Sequence, residues 1–210
     1  SGNDNSKLSD AERLAEARRK LSKSAAWDAT ENVNAAYCYY LDDFQWANMA
    51  GVFAENGNKQ SPFAGYYLGK ERIEMAATIR YGSGSTAPRS MIPLHYVVQP
   101  VILVSEDGRS TSSRTYLFEP MTMKVPGKIT TGMYPNNQAI LENGIWRMWT
   151  LEIDEFYMEM VNWADGWAKA KDKVTPTPPS PLLELYPPDI LLSELGVRQE
   201  HFRAGVGEQY

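Results

Sequence analysis

Cysteine and recognisable catalytic motifs are scarce in this chain. Its one cysteine, Cys38, excludes an internal disulfide and any metal site built from several cysteines. His95 and the acidic pairs at 42–43 and 154–155 lack the spacing of a metal motif such as HExxH. The sequence also lacks a GxxxxGK(S/T) phosphate loop, a GxSxG nucleophile elbow and a flavin or nicotinamide fingerprint. If the chain is an enzyme, we expect acid–base chemistry without a metal or another cofactor.

Long apolar runs and an excess of basic charge are also missing. No apolar run approaches the ~18 residues that a membrane span requires. The 21 Lys and Arg residues against 26 Asp and Glu residues give a net charge of −5, which argues against nucleic acid as the main partner. The first residues, SGNDNS, contain no apolar signal region, so the cytoplasm is the expected compartment.

The length of 210 residues fits one domain with two appendages. We predict an N-terminal helical arm over residues 1–28, a central domain over 29–170 and a proline-rich C-terminal arm over 171–210. Ser9 and Glu12 have the spacing of a capping box, which predicts a charged helix from there to about Ser24.

The central domain opens with a pattern that predicts three helices. Apolar residues at helical spacing form a first stripe, made of Val33, Ala36, Tyr37, Tyr40, Leu41 and Phe44. A short second helix has one apolar face, made of Trp46, Met49, Ala50 and Phe53. A polar break is predicted at 55–58, and a third helix opens at Gly69 and Lys70.

From Met91 the apolar pattern becomes that of strands. Asp107 and Gly108 predict a hairpin turn before a return strand, and Pro135 interrupts a third run over about 128–141. Gly144 precedes a fourth run, IWRMWTLEIDEFYM. Successive strands joined by tight turns predict an antiparallel meander, and helices packed on such a sheet make an α+β fold.

Several segments resemble a known family. The order of an aromatic helix, LDDFQWANMAGVFAENG and GYYLGKERI resembles the opening of SnoaL-like proteins of the nuclear transport factor 2 (NTF2-like) superfamily, and GIWRMWTLEI resembles their closing strand. The resemblance implies a cone in which a curved antiparallel sheet wraps a deep pocket that N-terminal helices close. NKQSPFAGYYLGKERI, IPLHYVVQPVILVSEDGRS and MYPNNQAILENGIWRMWTLEIDE resemble the group from lignin-degrading sphingomonads that includes the diarylpropane formaldehyde-lyase.

His95 is the principal catalytic candidate. An imidazole with a pKa near ~6.5 in an apolar cavity suits proton transfer at neutral pH, and a core histidine bonded to the backbone is the alternative. The resemblance favours catalysis, because SnoaL-like dehydratases of the scytalone and bile-acid types have a catalytic histidine at the start of the corresponding strand. Strand alternation predicts that His95 shares one face with a row of four residues, Val97, Gln99, Val101 and Leu103.

Tyr37 and Asp42 are further catalytic candidates. The bile-acid dehydratase type has a tyrosine five residues before an aspartate and a tryptophan four further on, and Tyr37, Asp42 and Trp46 keep that spacing. Five residues on a helix are about 140° apart, so Tyr37 and Asp42 share a pocket only if the helix ends near Asp42. The structural alternative is that Asp42 and Gln45 cap the second helix.

Two cations are candidates for stabilising negative charge on a substrate oxygen. Arg114 shares a strand face with Tyr116 and Phe118. It either lies in the cavity, where it needs a partner, or is a solvated charge on the convex face. Lys59 follows the predicted turn after the second helix and can contact an acidic phenol there, although exposure is the commoner fate of lysine.

Aromatic and amide side chains complete the predicted substrate contacts. Tyr134 and Asn137 lie beside the break at Pro135 and are predicted to point inward. One of the two tryptophans in IWRMW lines the pocket in this prediction, and we assign that role to Trp149. Tyr40 and Tyr116 are also predicted to contact the substrate. So many aromatic groups suit an aromatic or polycyclic ligand, although the same residues fill hydrophobic cores.

The resemblance to SnoaL-like dehydratases implies a cofactor-independent lyase. It would dehydrate a hydroxylated aromatic compound of the lignin-dimer type to a quinone methide, with or without loss of formaldehyde. The alternatives are an isomerase or epoxide hydrolase of the same fold, or a non-catalytic NTF2-like ligand-binding module. The resemblance also implies a homo-oligomer, either a dimer or a trimer, and no nucleic-acid or membrane partner is expected.

Overall fold

The computed structural model describes residues 8–62, 64–82, 91–123, 127–161, 170–173 and 184–195. The remaining residues, which include most of the predicted proline-rich arm and its histidine, His201, lie outside the described part of the chain. Among the described helices, none is long and apolar enough to cross a membrane.

Among the described residues, three α-helices cover the sheet. They are α1 (Asp10–Asp42), α2 (Trp46–Gly51) and α3 (Lys70–Tyr81). The predicted capping box is present at the start of α1, where the Ser9 Oγ accepts from the Glu12 backbone N–H at 3.3 Å and the Glu12 carboxylate accepts from the Ser9 backbone N–H at 2.7 Å. The end predicted near Ser24 is wrong. No glycine or proline interrupts residues 10–42, so α1 continues for 33 residues across the predicted arm boundary. The division into three parts stays a prediction.

In the described part of the chain, ten strands form one mixed sheet, in the order β10-β2-β1-β7-β6-β5-β3, with β4 beside β5, β8 beside β6 and β9 beside β8. They are β1 (Phe53–Ser61), β2 (Gly65–Leu68), β3 (Met91–Pro93), β4 (Tyr96–Val104), β5 (Ser110–Met123), β6 (Gly127–Glu142), β7 (Ile145–Leu151), β8 (Asp154–Val161), β9 (Ala170–Lys173) and β10 (Ile190–Leu191). A 3₁₀ helix spans Leu192–Leu195.

The long strands β5 and β6 form the middle of the sheet. On the side away from β6, β5 pairs with β3 and β4, which lie end to end. On the opposite edge, β6 pairs with β7 and β8 in the same way. The run predicted as one fourth strand is therefore split at residues 152–153. The sheet is curved and unclosed, and with its helices it confirms the predicted NTF2-like α+β cone.

The stretch predicted as a polar break after α2 belongs to β1, and so does Phe53, which was predicted on the helix. β1 pairs antiparallel with β2 and parallel with β7, where Lys59 is opposite Leu151. Its register shifts between Phe53 and Asn58, which leaves residues 55–56 exposed. The antiparallel meander is confirmed for β4 to β7, but the sheet as a whole is mixed.

The predicted alternation along β4 fails at Gln99. This residue has a φ of 55°, and the pairing of β4 with β5 shifts register between Val98 and Val101. As a result Val101 and Leu103 are 61% and 70% exposed. The prediction that Val101 and Leu103 share a face with His95 is wrong, because one irregular residue changes the face on which all later side chains lie.

The hydrophobic core lies between the helices and one face of the sheet. It takes Tyr37 and Leu41 from α1, Phe53 from β1 and Met148 from β7. The predicted apolar face of α3 is confirmed, since Ile73, Ala76 and Ala77 are all buried.

Candidate active site

The centre of the site is the contact between Asp42 and His95. α1 ends at Asp42 because Phe44 takes a left-handed conformation (φ 58°) and its ring stacks on that of Trp46 at 4.9 Å. Strand pairing is interrupted between β3 and β4, so the backbone N–H of His95 is directed to Asp42, at 3.0 and 3.2 Å from the two carboxylate oxygens. The Asp42 Oδ1 also lies 2.5 Å from His95 Nδ1. One carboxylate thus fixes both the backbone and the ring of His95.

Glu119 lies at the other ring nitrogen. Its Oε1 is 3.4 Å from His95 Nε2, and both side chains are only 7% exposed. The alternation of β5 explains this position, since Thr115, Leu117 and Glu119 are buried while the residues between them are exposed.

The two carboxylates favour the charged form of His95. Burial lowers the pKa of the imidazole, but Glu119 and Asp42 outweigh burial and the net result is a raised pKa. The positive charge of Lys59 opposes them. His95 can therefore donate a proton from Nε2 and, once neutral, accept one at the same atom.

Two cations reach the same region from different elements. Lys59 lies on β1, and its Nζ donates to the Gln60 carbonyl at 3.3 Å. Desolvation lowers the pKa of Lys59 to about 7, and the positive charge of Arg80 contributes in the same direction while Glu119 opposes it. Arg80, near the end of α3, lies over the Tyr81 ring, with Cζ 5.1 Å from the ring centroid.

Two buried phenols lie beside these groups. The rings of Tyr37 and Tyr134 meet edge to face with centroids 6.4 Å apart. Burial raises the pKa of both hydroxyls, so each stays protonated and can donate a hydrogen bond. Burial also raises the pKa of the Cys38 thiol, which makes it a poor nucleophile.

Glu119 is the common neighbour of the cluster. Its charge raises the pKa of His95 and Lys59, and it also contributes to the raised pKa of Tyr37, Tyr81 and Tyr134. The structure therefore brings together five predicted residues, namely Tyr37, Asp42, Lys59, His95 and Tyr134. The alternative role of Asp42 as a helix cap is not observed, because the N-cap of α2 is Gln45 and no side chain caps it.

Arg114 and Tyr116 lie on the opposite face of β5. Arg114 is exposed, and its Nε donates to the Pro135 carbonyl at 3.2 Å. Tyr116 is 48% exposed, and its ring meets that of Phe156 edge to face. This corrects the expectation that Arg114 assists His95 and that Tyr116 contacts substrate, since strand alternation points both side chains away from Glu119. Of the two alternatives for Arg114, the solvated surface charge is the one observed.

The other predicted contacts have structural partners. The Asn137 side-chain oxygen accepts from the Glu152 backbone N–H at 3.2 Å, at the junction of β7 and β8. Tyr40 packs against the core. Trp149 is partly buried where the register of β6 and β7 shifts, whereas Trp146 packs against the core. No hydrogen bond or ring contact between described residues joins Asn137, Tyr40 or Trp149 to His95.

The sequence analysis did not identify Glu119 and Arg80 as site residues, although the spacing of buried positions indicated both. Glu119 lies two residues after Leu117 on β5, so strand alternation places both side chains on the inner face. Arg80 continues the helical spacing of Ile73, Ala76 and Ala77, which places a cation on the apolar face of α3. A charged residue at a position that the pattern assigns to the interior is a functional candidate.

Comparisons with known proteins agree with this fold. Residues 23–152 match the family model of the SnoaL-like domain. No curated protein matches the chain. Two similar solved structures are a protein from Novosphingobium aromaticivorans provisionally assigned as a scytalone dehydratase (16% identity, TM-score 0.55, 76% of this chain and 99% of that chain) and a type 2 hexachlorocyclohexane dehydrochlorinase (15% identity, TM-score 0.58, 76% and 98%). A third, a protein of unknown function from Mycobacterium tuberculosis, is 18% identical with a TM-score of 0.52 over 60% of this chain and 74% of that chain. At these identities the structures support the fold alone, and the family match carries the assignment: the chain belongs to the SnoaL-like domain family.

Proposed function

We propose that this chain is a cofactor-independent lyase that removes water from a hydroxylated aromatic compound. The observation that carries the proposal is the position of His95 between Asp42 and Glu119, in a buried cluster with Lys59 and two phenols. Such an arrangement can move a proton to and from a substrate without a cofactor. Two proteins of similar fold support an elimination reaction by name, one as a dehydratase and one as a dehydrochlorinase.

In the proposed reaction, His95 acts first as an acid. Its Nε2–H protonates a benzylic hydroxyl, the C–O bond breaks and water leaves. When the ring carries a para hydroxyl, the electron pair comes from the deprotonated phenol oxygen and the product is a quinone methide. Lys59 stabilises the negative charge on that oxygen before the C–O bond breaks.

A hydroxymethyl group on the neighbouring carbon permits a second step. Neutral His95 accepts the proton of that hydroxyl, the C–C bond breaks and formaldehyde leaves. The electron pair of the broken bond forms an alkene and restores the phenolate. The net change is one substrate to one stilbene-type alkene, one water and one formaldehyde, without an oxidant or a reductant.

The test is a substrate panel with three variants. We expect para-hydroxyaryl diols, rather than hydroxysteroids, to give new conjugated absorbance, with formaldehyde released where a hydroxymethyl group is present. His95→Gln and Asp42→Asn should each lower kcat by roughly 10²-fold or more. Arg114→Gln is the matched control, because it changes a charged residue of the opposite sheet face, and it should retain wild-type turnover.

Two results would remove this proposal. Full turnover by His95→Gln excludes the imidazole from the chemistry. Absence of turnover on the whole panel, with ligand binding intact, indicates a non-catalytic binding module instead.

A further inference from the structure

We infer that Lys59 and Arg80 form an anion subsite that holds a deprotonated oxygen on an aromatic ligand, beside His95. The ligand chemistry is an aryl oxyanion, either a phenolate or an aromatic carboxylate. The inference rests on the proposed function only in identifying that ligand with the substrate.

Two elements bring these cations to the interior. β1 carries Lys59 and pairs with β7, whose Leu151 lies opposite the lysine. α3 packs its apolar face on the core, and Arg80 lies on that face two turns after Ile73, which is 1% exposed. The positive charge of Arg80 contributes to the lowered pKa of Lys59.

Neither cation has an acidic partner among the described residues. No ion pair in that part of the chain includes Lys59 or Arg80. The Arg80 Nη1 is buried and has no hydrogen-bond partner there, and Lys59 donates only to a main-chain carbonyl. The basic residues of the surface differ in this respect. Arg72 is paired with Asp189 at 2.5 Å, and Lys23 with Glu106 at 2.7 Å.

Two like charges in a desolvated region oppose each other unless an anion joins them. A guanidinium nitrogen without an acceptor loses the hydrogen bonds that water would give it, at a cost in free energy. Glu119 is the acid whose charge reaches Lys59, but its carboxylate contacts His95 instead. A ligand oxyanion would satisfy Arg80 Nη1 and favour the protonated form of Lys59.

The surroundings of the pair favour an aromatic anion. Arg80 lies against the Tyr81 ring, and Tyr37 and Tyr134 belong to the same cluster. Flat apolar walls with two cationic donors fit an aryl ring that carries one negative oxygen.

The test measures binding without turnover. The probe is 4-nitrophenol, whose phenolate absorbs visible light, so binding to cations increases the phenolate band at a fixed, slightly acidic pH. 4-Nitrobenzoate tests whether the subsite binds an aromatic carboxylate instead of a phenolate. 4-Nitroanisole, the neutral methyl ether, is the uncharged control. The proteins are the wild type, Lys59→Met, Arg80→Met and Arg114→Met, the last being an exposed arginine on the opposite sheet face.

We expect the wild type to increase the phenolate band and to bind 4-nitroanisole more weakly. Arg80→Met and Lys59→Met should each weaken phenolate binding by roughly tenfold or more, as expected for the loss of a charged hydrogen bond. Arg114→Met should bind as the wild type does. Tighter binding of 4-nitrobenzoate would identify carboxylate as the anion.

Equal binding of phenolate by the wild type, Lys59→Met and Arg80→Met would overturn the subsite. Arg80→Lys, which keeps the charge, and a thermal unfolding curve for each variant separate lost binding from lost folding. Failure of the lyase proposal is a different result. His95→Gln should still bind the probe, so a protein without turnover but with binding that depends on Lys59 and Arg80 keeps the subsite and loses the reaction.

Discussion

Glu119 determines which proton form of His95 is available. The proposed reaction needs the imidazolium, so its rate should fall as the pH rises through the pKa of His95. Because the carboxylate of Glu119 raises that pKa, Glu119→Gln should move the fall in kcat to lower pH. The measurement is kcat against pH for the wild type and the variant.

Glu106→Gln is the control for this shift. Glu106 is an exposed acid that pairs with Arg19 and Lys23, in the half of α1 that is remote from Asp42. A pH profile with the same midpoint in the wild type and in Glu119→Gln would contradict the assignment.

Lys59 should make the protein more stable at alkaline pH than at neutral pH. The folded-state pKa of Lys59 is about 7, against 10.5 for an ordinary lysine, so the unfolded chain binds the extra proton between these values. The free energy of unfolding therefore rises with pH from about 7 to 10.5 on account of this group, and below pH 7 the full cost of burying the ammonium is present.

Lys59→Met should accordingly raise the free energy of unfolding at pH 6 and flatten its dependence on pH, as measured by urea denaturation. Lys70→Met provides the comparison, because Lys70 is a surface residue whose ammonium lies 3.9 Å from Glu55. Equal stability of Lys59→Met and the wild type at pH 6 would show that the ammonium is well solvated.

At the scale of the elements, β6 depends on a glycine where it meets β8. A Cβ on Gly132 would lie 2.3 Å from the Asp154 carbonyl oxygen, which is backbone and cannot move aside easily. The register of the pair shifts between Thr131 and Gly132, so the strands approach closely there. We expect Gly132→Ala to lower the free energy of unfolding by about 1–3 kcal/mol, as overpacking does.

Gly51→Ala is the matched control, since a Cβ there meets nothing within 4 Å and the residue lies in α2. It should raise the free energy of unfolding by about 0.5–1 kcal/mol. Denaturant midpoints for both variants test the pair, and similar effects of the two substitutions would contradict the contact with β8.

Local patterns predicted several elements well. The capping box of α1, the apolar face of α3 and the turn at 107–108 all involve residues close in sequence. The pairing of β1 with β7 was not predictable in this way, because it joins distant segments. The irregular residue Gln99 had a signal that was not used, since Pro100 follows it within the strand, and its effect is to reverse the faces of β4 after it.

The candidate site was predicted only in part, because local patterns identify single residues but not which distant segments meet. Asp42 and His95 came from spacing that resembles a family, and their contact follows from where α1 ends and where β3 and β4 separate. The sequence analysis left the face of Arg114 open and did not consider Arg80. Side chains alternate along β5, so a buried Leu117 places Arg114, three residues earlier, on the outer face.

At the scale of the whole molecule, the outer face of β4 and β5 is unusually apolar. Its exposed side chains include Tyr96, Val98, Val101, Leu103, Tyr116 and Phe118. Exposed apolar side chains grouped on one sheet face favour association, and the charge of Arg114 lies among them. We propose that a second copy of the chain covers this face, because one exposed sheet face can pair with an identical one across a two-fold axis.

The oligomeric state tests this proposal. Light scattering after size exclusion should give a mass greater than that of one chain for the wild type. The double variant Val101→Lys and Leu103→Lys should give a smaller mass, with the fold retained by circular dichroism. Ile145→Lys is the control, because Ile145 is also exposed but lies at the start of β7. A wild-type protein that stays a monomer would refute the interface.

The parallel pairing of β1 with β7 has a consequence for how the protein is made. During synthesis β1 can pair with β2 soon after both leave the ribosome, but its parallel neighbour β7 is absent until the residues up to 144 have emerged, so one side of Lys59 lacks its partner strand until then. Contacts between such distant segments form slowly. A nascent chain can thus bring Asp42 and His95 together before β7 exists, and the subsite for the ligand's negative oxygen is completed last.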